Sequence, residues 1–369
     1  MSVNRQHIII CTSEFPPQPG GIGNHAYNLA KQLQHHEFHV KVITDQRSML
    51  GDEELDFDKS NAFETLRIKR TTFRFLMYIK RLLLLLKHVK KADIVFASGK
   101  FSLWIVAFVS LFYQKRYIAV VHGTEVNFTN TFLKYSIDKA LHRFETIVAV
   151  SNFTKSLIDY IKIKDIVVIP NGFNHEVFSD KPVTKTPIEG YPKLVTVGNV
   201  TERKGQLNVI KHLPVLTKIH PKLKYHCVGL PTEKEAFLSV AKALNVEQHV
   251  RFHGRLSNEK LQDVLQQSDI FVMLSGTTKS GDVEGFGIAV IEANAMGLPA
   301  IGSKGCGIED AILDKKSGLL VRHDNTAEFK DAVLNILDHY ERYVNEAQVW
   351  AKTHQWDAIV KQYIKILVR

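Results

Sequence analysis

Short apolar runs alternate with amphipathic stretches along the chain. In the first half the runs cover residues 7–13 (HIIICTS), 39–45 (HVKVITD), 93–98 (DIVFAS), 117–123 (YIAVVHG), 146–151 (TIVAVS) and 166–172 (IVVIPNG). Each is bounded by Gly, Pro, Ser, Asn or Asp, and most are apolar on both faces. Strands buried in a parallel sheet carry this pattern. Segments of helical period separate most of them, for example residues 23–34 and 152–161. Strands alternating with helices predict an α/β fold.

The alternation pauses after Gly172. Up to Pro192 the chain holds Pro182, Pro187, Gly190 and scattered charges without a clear period, which predicts a linker. It restarts at residues 193–199 (KLVTVGN) and continues through 223–229 (LKYHCVG), 250–254 (VRFHG), 269–275 (DIFVMLS), 299–303 (PAIGS) and 318–321 (GLLV). Two α/β units in tandem are expected: residues 1–175, a linker over 176–192, residues 193–350, and a C-terminal helix over 351–369. No close repeat relates the units. Ligands of open α/β sheets bind beyond the carboxyl ends of the strands, so the chemistry is expected in loops that follow strands.

Bulk composition changes this picture little. The length of 369 residues suits two domains, and 45% hydrophobic with 23% charged residues is ordinary for a globular chain. Three cysteines, Cys11, Cys227 and Cys306, are far apart and predict a reducing, cytoplasmic setting. No leader is expected from the N-terminal residues. The apolar stretch 101–113 (FSLWIVAFVSLFY) is shorter than the roughly 20 residues a bilayer span needs and is expected as a buried helix. The net charge of +10 points to anionic partners. Between Thr65 and Ala92 nine Lys or Arg occur without an acidic residue, around RFLMYIKRLLLLLKHVKK. Two readings stay open: a helix lying on the inner face of an anionic membrane, or one packed on the sheet with a basic outer face. Nucleic acid is not expected, because no known module appears and the cations are not interleaved with aromatics.

The densest chemical signal is Glu284-Gly-Phe-Gly-Ile-Ala-Val-Ile-Glu292. It follows an apolar strand and a polar loop. Gly285 and Gly287 allow close backbone approach to a ligand. A helix starting near Phe286 turns its first amides, those around Ile288, toward the strand ends, where a diphosphate is stabilised. Glu292 lies about two turns in and is a candidate for ribose hydroxyls. Glu284 precedes the helix, where a sugar on the diphosphate would lie. Arg203 and Lys204 follow the first strand of the second unit and precede Gly205, so they are candidate counter-charges for a leaving diphosphate. No cluster of metal-ligand spacing and no convincing DxD motif occurs.

Two glutamates separated by seven residues in a GFG context resemble the signature of retaining GT-B glycosyltransferases, the family 4 group that includes glycogen-synthase-like and lipid mannosyltransferase-like enzymes. The resemblance covers nearly the whole chain and includes PGGIGNH (19–25), HGTE (122–125), VSNFTK (150–155), IPNG (169–172) and ERKG (202–205). It implies two Rossmann-like domains facing each other across a cleft, with the C-terminal helix packing back on the first. It implies retaining, metal-independent transfer of a hexose from GDP-mannose or a UDP-sugar to a polysaccharide or lipid-linked acceptor, with no further cofactor. His122, Glu284 and Lys204 inherit catalytic roles. Gly20, Gly21, Asn199, Arg203, Lys204, Gly285, Phe286, Gly287, Ile288 and Glu292 inherit donor contacts. The family often has an arginine where this chain has Asn199, which leaves Arg203 as the candidate second cation. Glu125 is similarly placed to His122. Asn171 and Gly172 form either a tight turn or a contact at the hinge. An epimerase or hydrolase on the same fold, or a non-catalytic binding protein, are the competing readings.

Overall fold

The computed structural model describes residues 6–163, 165–179, 187–278 and 281–368. Residues 180–186 of the expected linker, and residues 279–280 of the polar loop before Glu284, lie outside the described residues, as do residues 1–5, Lys164 and Arg369. The chain divides into two compact units. One comprises Met1–Gly172 with Trp356–Arg369, the other Phe173–Gln355.

The first unit is built on a parallel sheet of strands β1 (His7–Thr12), β2 (His39–Asp45), β3 (Glu64–Ile68), β4 (Ile94–Ser98), β5 (Arg116–Val121), β6 (Thr146–Ala149) and β7 (Ile166–Val168), in the order β3-β2-β1-β4-β5-β6-β7. All five residues of β4 are buried, as its unbroken apolar run requires. β3 is absent from the apolar runs. Its sequence, ETLRI, carries two charged residues because it is an edge strand, paired only with β2. The helix Gly21–His35 buries Gly23, His25, Ala26, Leu29, Ala30 and Leu33, a stripe of helical period laid on the sheet.

The second unit repeats the plan with β8 (Lys193–Val197), β9 (Lys224–Val228), β10 (Val250–Gly254), β11 (Ile270–Met273), β12 (Ala300–Ser303) and β13 (Gly318–Val321), in the order β10-β9-β8-β11-β12-β13. All pairings are parallel. In each sheet the order reverses beside the first strand, between β1 and β4 and between β8 and β11. Loops on either side of that point diverge and leave a crevice, which is where such sheets bind ligands.

Three expectations need correction. The stretch 101–113 is a helix only over Lys100–Val109, and Phe108, Leu111 and Phe112 are exposed rather than buried. The C-terminal tail is two helices, Tyr340–Lys352 and Trp356–Leu367, separated where the amides of Thr353, His354 and Gln355 bond the carbonyls of Trp350, Ala351 and Lys352 in tighter turns. The nine cations of 65–92 are not all outward. Arg67 pairs with Asp58 at 2.7 Å, and Arg81 is fully buried against Asp45, at the end of β2. On the helix Arg74–Val89, Met77, Arg81, Leu85 and Val89 face inward at four-residue spacing, while Phe75, Ile79 and Leu83 are exposed. Among the described residues no helix is long and apolar enough to cross a membrane.

The Arg81–Asp45 pair sets a test of the first unit. Two of the three guanidinium nitrogens have no other partner. Removing Asp45 strands a buried cation, whereas removing the arginine deletes the charge itself. Asp45→Ala is expected to destabilise by about 3–5 kcal/mol and Arg81→Met by clearly less. Urea unfolding followed through the first unit's Trp104 and Trp356 checks the order; equal losses would refute it.

Candidate functional site

The second unit gathers its charged groups at the β8/β11 switch point. After β8 the chain turns at Gly198 and Asn199, forms a 3-10 turn over Glu202–Lys204, and enters the helix Gln206–Ile219. Gly205 sits at φ +78°, and a Cβ there would lie 2.0 Å from the Leu274 carbonyl oxygen just beyond β11. Glycine is therefore what lets this turn press against the neighbouring strand end. That closeness brings Arg203 and Lys204 to Glu284. Lys204 Nζ lies 2.9 Å from the Glu284 carboxylate, and the Arg203 guanidinium pairs with the same oxygen. Arg203 also reaches Asp282 at 3.2 Å. Burial alone would raise the Glu284 pKa, but the charges and hydrogen bonds of Lys204 and Arg203 hold it below the ordinary glutamate value.

Gly285 and Phe286 are buried, and the Phe286 ring lies 5.9 Å from that of His354. Gly287 adopts φ +94° and starts the helix Ile288–Ala295, whose first turn carries neither a side-chain cap nor an acidic residue. The amides of Ile288 and Ala289 have no acceptor within their own helix, as in any first turn, so this end favours an anion. Glu292 is half-buried one turn beyond Ile288. Burial raises its pKa to about 7, with Lys204 opposing. Lys204 thus acts electrostatically on both glutamates. Asn199 is exposed, and its main-chain carbonyl accepts from Gln206 at 3.1 Å and from the Thr201 hydroxyl at 3.4 Å.

The first unit gathers a different set at the β1/β4 switch point and at the end of β5. Gly20 flanks the helix that Gly21 begins, and a Cβ on Gly20 would meet the Glu14 carboxylate at 2.4 Å. His122 follows β5. Its Nε2 shares a 3.0 Å hydrogen bond with the Ser98 hydroxyl at the end of β4, and its amide donates to the Glu125 carboxylate. Its ring meets that of His25 at 5.1 Å, and His25 Nε2 bonds the Tyr363 hydroxyl at 2.9 Å. Burial pushes His122 down to about 3 and His25 well below the histidine range, so both imidazoles are neutral. Burial likewise lifts Glu125 to about 7. Asn171 and Gly172 are buried, and Gly172 packs against the Trp356 indole, where a Cβ would come within 2.9 Å.

Sequence reasoning missed four participants. Ser98 ends an expected strand, and the rule about carboxyl ends would have singled it out. His25 stood inside the quoted PGGIGNH run. Asp282 and Tyr363 gave no signal, since each matters only through a partner distant in sequence. Among the described residues no group of three or more His, Cys, Asp or Glu is placed to hold a metal ion. The three cysteines are buried and unpaired.

Two family models match the chain: glycosyltransferase family 4 over residues 19–177 and glycosyl transferases group 1 over 178–355. A GDP-mannose-dependent alpha-(1-6)-phosphatidylinositol monomannoside mannosyltransferase of Mycobacterium tuberculosis is 22% identical, with 98% of this chain and 97% of that protein covered. A glycogen synthase of the same organism is 24% identical over 67% of this chain and 61% of its own. Among solved structures, a sucrose-phosphate synthase from Thermosynechococcus elongatus superposes with a TM-score of 0.79 at 18% identity, covering 98% of both chains. The Anabaena protein HepE, in complex with UDP and glucose, gives 0.79 at 16%, covering 99% and 100%.

Glu292 makes the second unit's stability depend on pH. Its folded pKa of about 7 exceeds the ordinary 4.5, so between those values the folded state binds more protons than the unfolded state. Stability therefore falls as pH rises through that window. Glu292→Gln is expected to stabilise this unit by about 2 kcal/mol near pH 8–9 and hardly at all near pH 4. Calorimetry across pH checks this; a pH-independent effect would contradict it.

Proposed function

We propose that this chain, which belongs to the family 4 glycosyltransferases with the GT-B fold, is a retaining hexosyltransferase that needs no metal ion. Its donor is a nucleotide diphosphate sugar, GDP-mannose or a UDP-sugar, and its acceptor is a polysaccharide or a lipid-linked glycan. The observation that carries this reading is the Arg203/Lys204 pair held beside Glu284, next to the uncapped start of the helix Ile288–Ala295. Two cations and a helix N-terminus at one strand end suit a diphosphate. The mannosyltransferase relative supports GDP-mannose, and the HepE complex supports a UDP-sugar.

In this reading the diphosphate settles on the amides of Ile288 and Ala289, while Lys204 and Arg203 turn part of their charge from Glu284 to the phosphates. The bond between the anomeric carbon and the diphosphate oxygen breaks. The acceptor oxygen joins that carbon on the same face and passes its proton to the departing phosphate, so no dedicated protein base is required. Lys204 and Arg203 stabilise charge that grows as this bond breaks. Glu284 orients sugar hydroxyls and Glu292 takes the ribose hydroxyls. Gly285, Phe286 and Gly287 shape the approach to the phosphates, and Asn199 borders them. His122 presents a neutral imidazole, fixed by Ser98, as a hydrogen-bonding group for the transferred sugar. Gly20 and Gly21 leave room for the diphosphate and the acceptor.

Lys204→Ala is expected to lower kcat/KM about a hundredfold, roughly 3 kcal/mol of lost transition-state stabilisation, and to cost less in stability because Arg203 still pairs with Glu284. A near wild-type rate would remove the lysine from the mechanism. Transfer measured in excess EDTA is expected to continue undiminished. Loss of activity that magnesium or manganese restores would show that a metal, not these cations, balances the diphosphate.

A further inference from the structure

We propose that Asp282 is a positioning residue for the transfer: it keeps hold of Arg203 when Glu284 turns to the sugar, so that the guanidinium meets the diphosphate instead of the solvent. This rests on the transferase reading above and adds to it a residue that acts only through another.

Glu284 has two tasks in that reaction. In the structure one of its oxygens, Oε2, holds both Lys204 and Arg203. The proposed chemistry asks the same carboxylate to orient sugar hydroxyls, and asks both cations to face phosphates. Each cation therefore needs a second hold that survives the exchange. Lys204 has one in packing. Its stem lies along Gly198, where a Cβ would meet Lys204 Cε at 3.0 Å, and its side chain is 15% exposed. The Arg203 side chain is 28% exposed, and its second hold is a charge: Asp282 Oδ2 lies 3.2 Å from its Nε.

The two carboxylates use different nitrogens of one guanidinium. Asp282 takes Nε, and Glu284 takes Nη1. Breaking the Glu284 bond thus leaves Arg203 tethered at Nε, with the Nη1 and Nη2 end of the fork turned to phosphate oxygens, which it suits. Without Asp282 the same exchange would release a long side chain into many rotamers, and ordering it again costs entropy. Asp282 is itself fixed through its backbone. Its amide donates to the Thr278 hydroxyl at 3.0 Å, and its carbonyl accepts from the Thr278 amide at 2.9 Å. Val283 is buried between Asp282 and Glu284, so the two carboxylates reach the guanidinium from either side of an apolar anchor.

The pair does little for the fold, because ion pairs as open to water as this one add little to stability. It also works against simple binding of the donor. Lys204 and Arg203 already face Glu284 and Asp282, and a diphosphate brings more negative charge to the same place. An acidic residue here weakens the hold on a diphosphate and is of use only in aiming the arginine.

The test uses the full chain: steady-state cleavage of GDP-mannose and of UDP-glucose by water, and calorimetric titration with GDP and UDP. Asp282→Asn keeps the shape and removes the charge. It is expected to lower kcat about tenfold, the size of one charge-assisted hydrogen bond, while GDP or UDP binds as tightly as to the wild type or tighter. In an Arg203→Gln background the same substitution is expected to change kcat less than about twofold, because its effect passes through the arginine. An unchanged kcat for Asp282→Asn, or a tenfold loss in both backgrounds, overturns the role. So does a parallel loss of nucleotide affinity, which marks a part of the binding loop and not an aiming device. Failure of the wild type to bind either nucleotide defeats the donor reading itself. Nucleotide binding without coupling between positions 282 and 203 defeats only the role of Asp282.

Discussion

The ion pairs that join Lys204 and Arg203 to Glu284 depend on one backbone constraint, the close passage of Gly205 against the carbonyl of Leu274. A side chain at position 205 would push the turn after β8 away from the end of β11 and part the cations from their carboxylate. The sheet order makes this the place where the two loops meet, because β8 and β11 are neighbours across the switch point although more than 70 residues separate them. Glu284 then keeps two cations ordered while staying ionised in a buried position, which an isolated glutamate would not do. Glu292, one helix turn past Ile288, has only the more distant Lys204 to oppose its burial and is held near pH 7 instead.

The first unit uses the same topology toward the opposite electrostatic end. At its strand ends the buried imidazoles are neutral, His122 hydrogen-bonded to Ser98 and His25 to Tyr363, and burial lifts the Glu125 carboxyl to about 7. A neutral polar cluster can hydrogen-bond hydroxyl groups without drawing counter-ions, whereas the second unit's charged cluster suits a diphosphate. In the proposed reaction the first unit's imidazoles serve sugar hydroxyls and the second unit's cations serve the phosphates.

The strands were legible because parallel strands buried on both faces must be continuously apolar, and twelve of the thirteen described strands carry that signature or part of it. β3 was not, because an edge strand tolerates Glu64 and Arg67. The glutamates, Lys204 and the glycine turns could be read from residue type and position after strands. Their pairing could not. Arg203 and Glu284 are 81 residues apart, and nothing local distinguishes an arginine bound to a carboxylate from one in water. The break at residues 353–355 was hidden for a related reason. Helical period continues on both sides, and the stop lies in the tighter backbone bonds of residues 353–355, which no residue type there announces.

The basic apolar helix Arg74–Val89 shows why its two sequence readings could not be separated by pattern alone. Residues 77, 81 and 85 face inward and residues 75, 79 and 83 face outward, each set at four-residue spacing and offset from the other by two. An offset of two residues on a helix is about 200°, so the sets lie on opposite faces. Both faces are largely apolar, which is what produces the near-continuous run of leucines. Such a helix is ordinarily buried on all sides. Here one side is covered by the sheet and the other is not, and the inward side includes a charge, Arg81, that the sheet must neutralise with Asp45. The same pair joins the helix to the end of β2. The inward placement of a cation on an otherwise apolar helix face therefore rests on one buried ion pair.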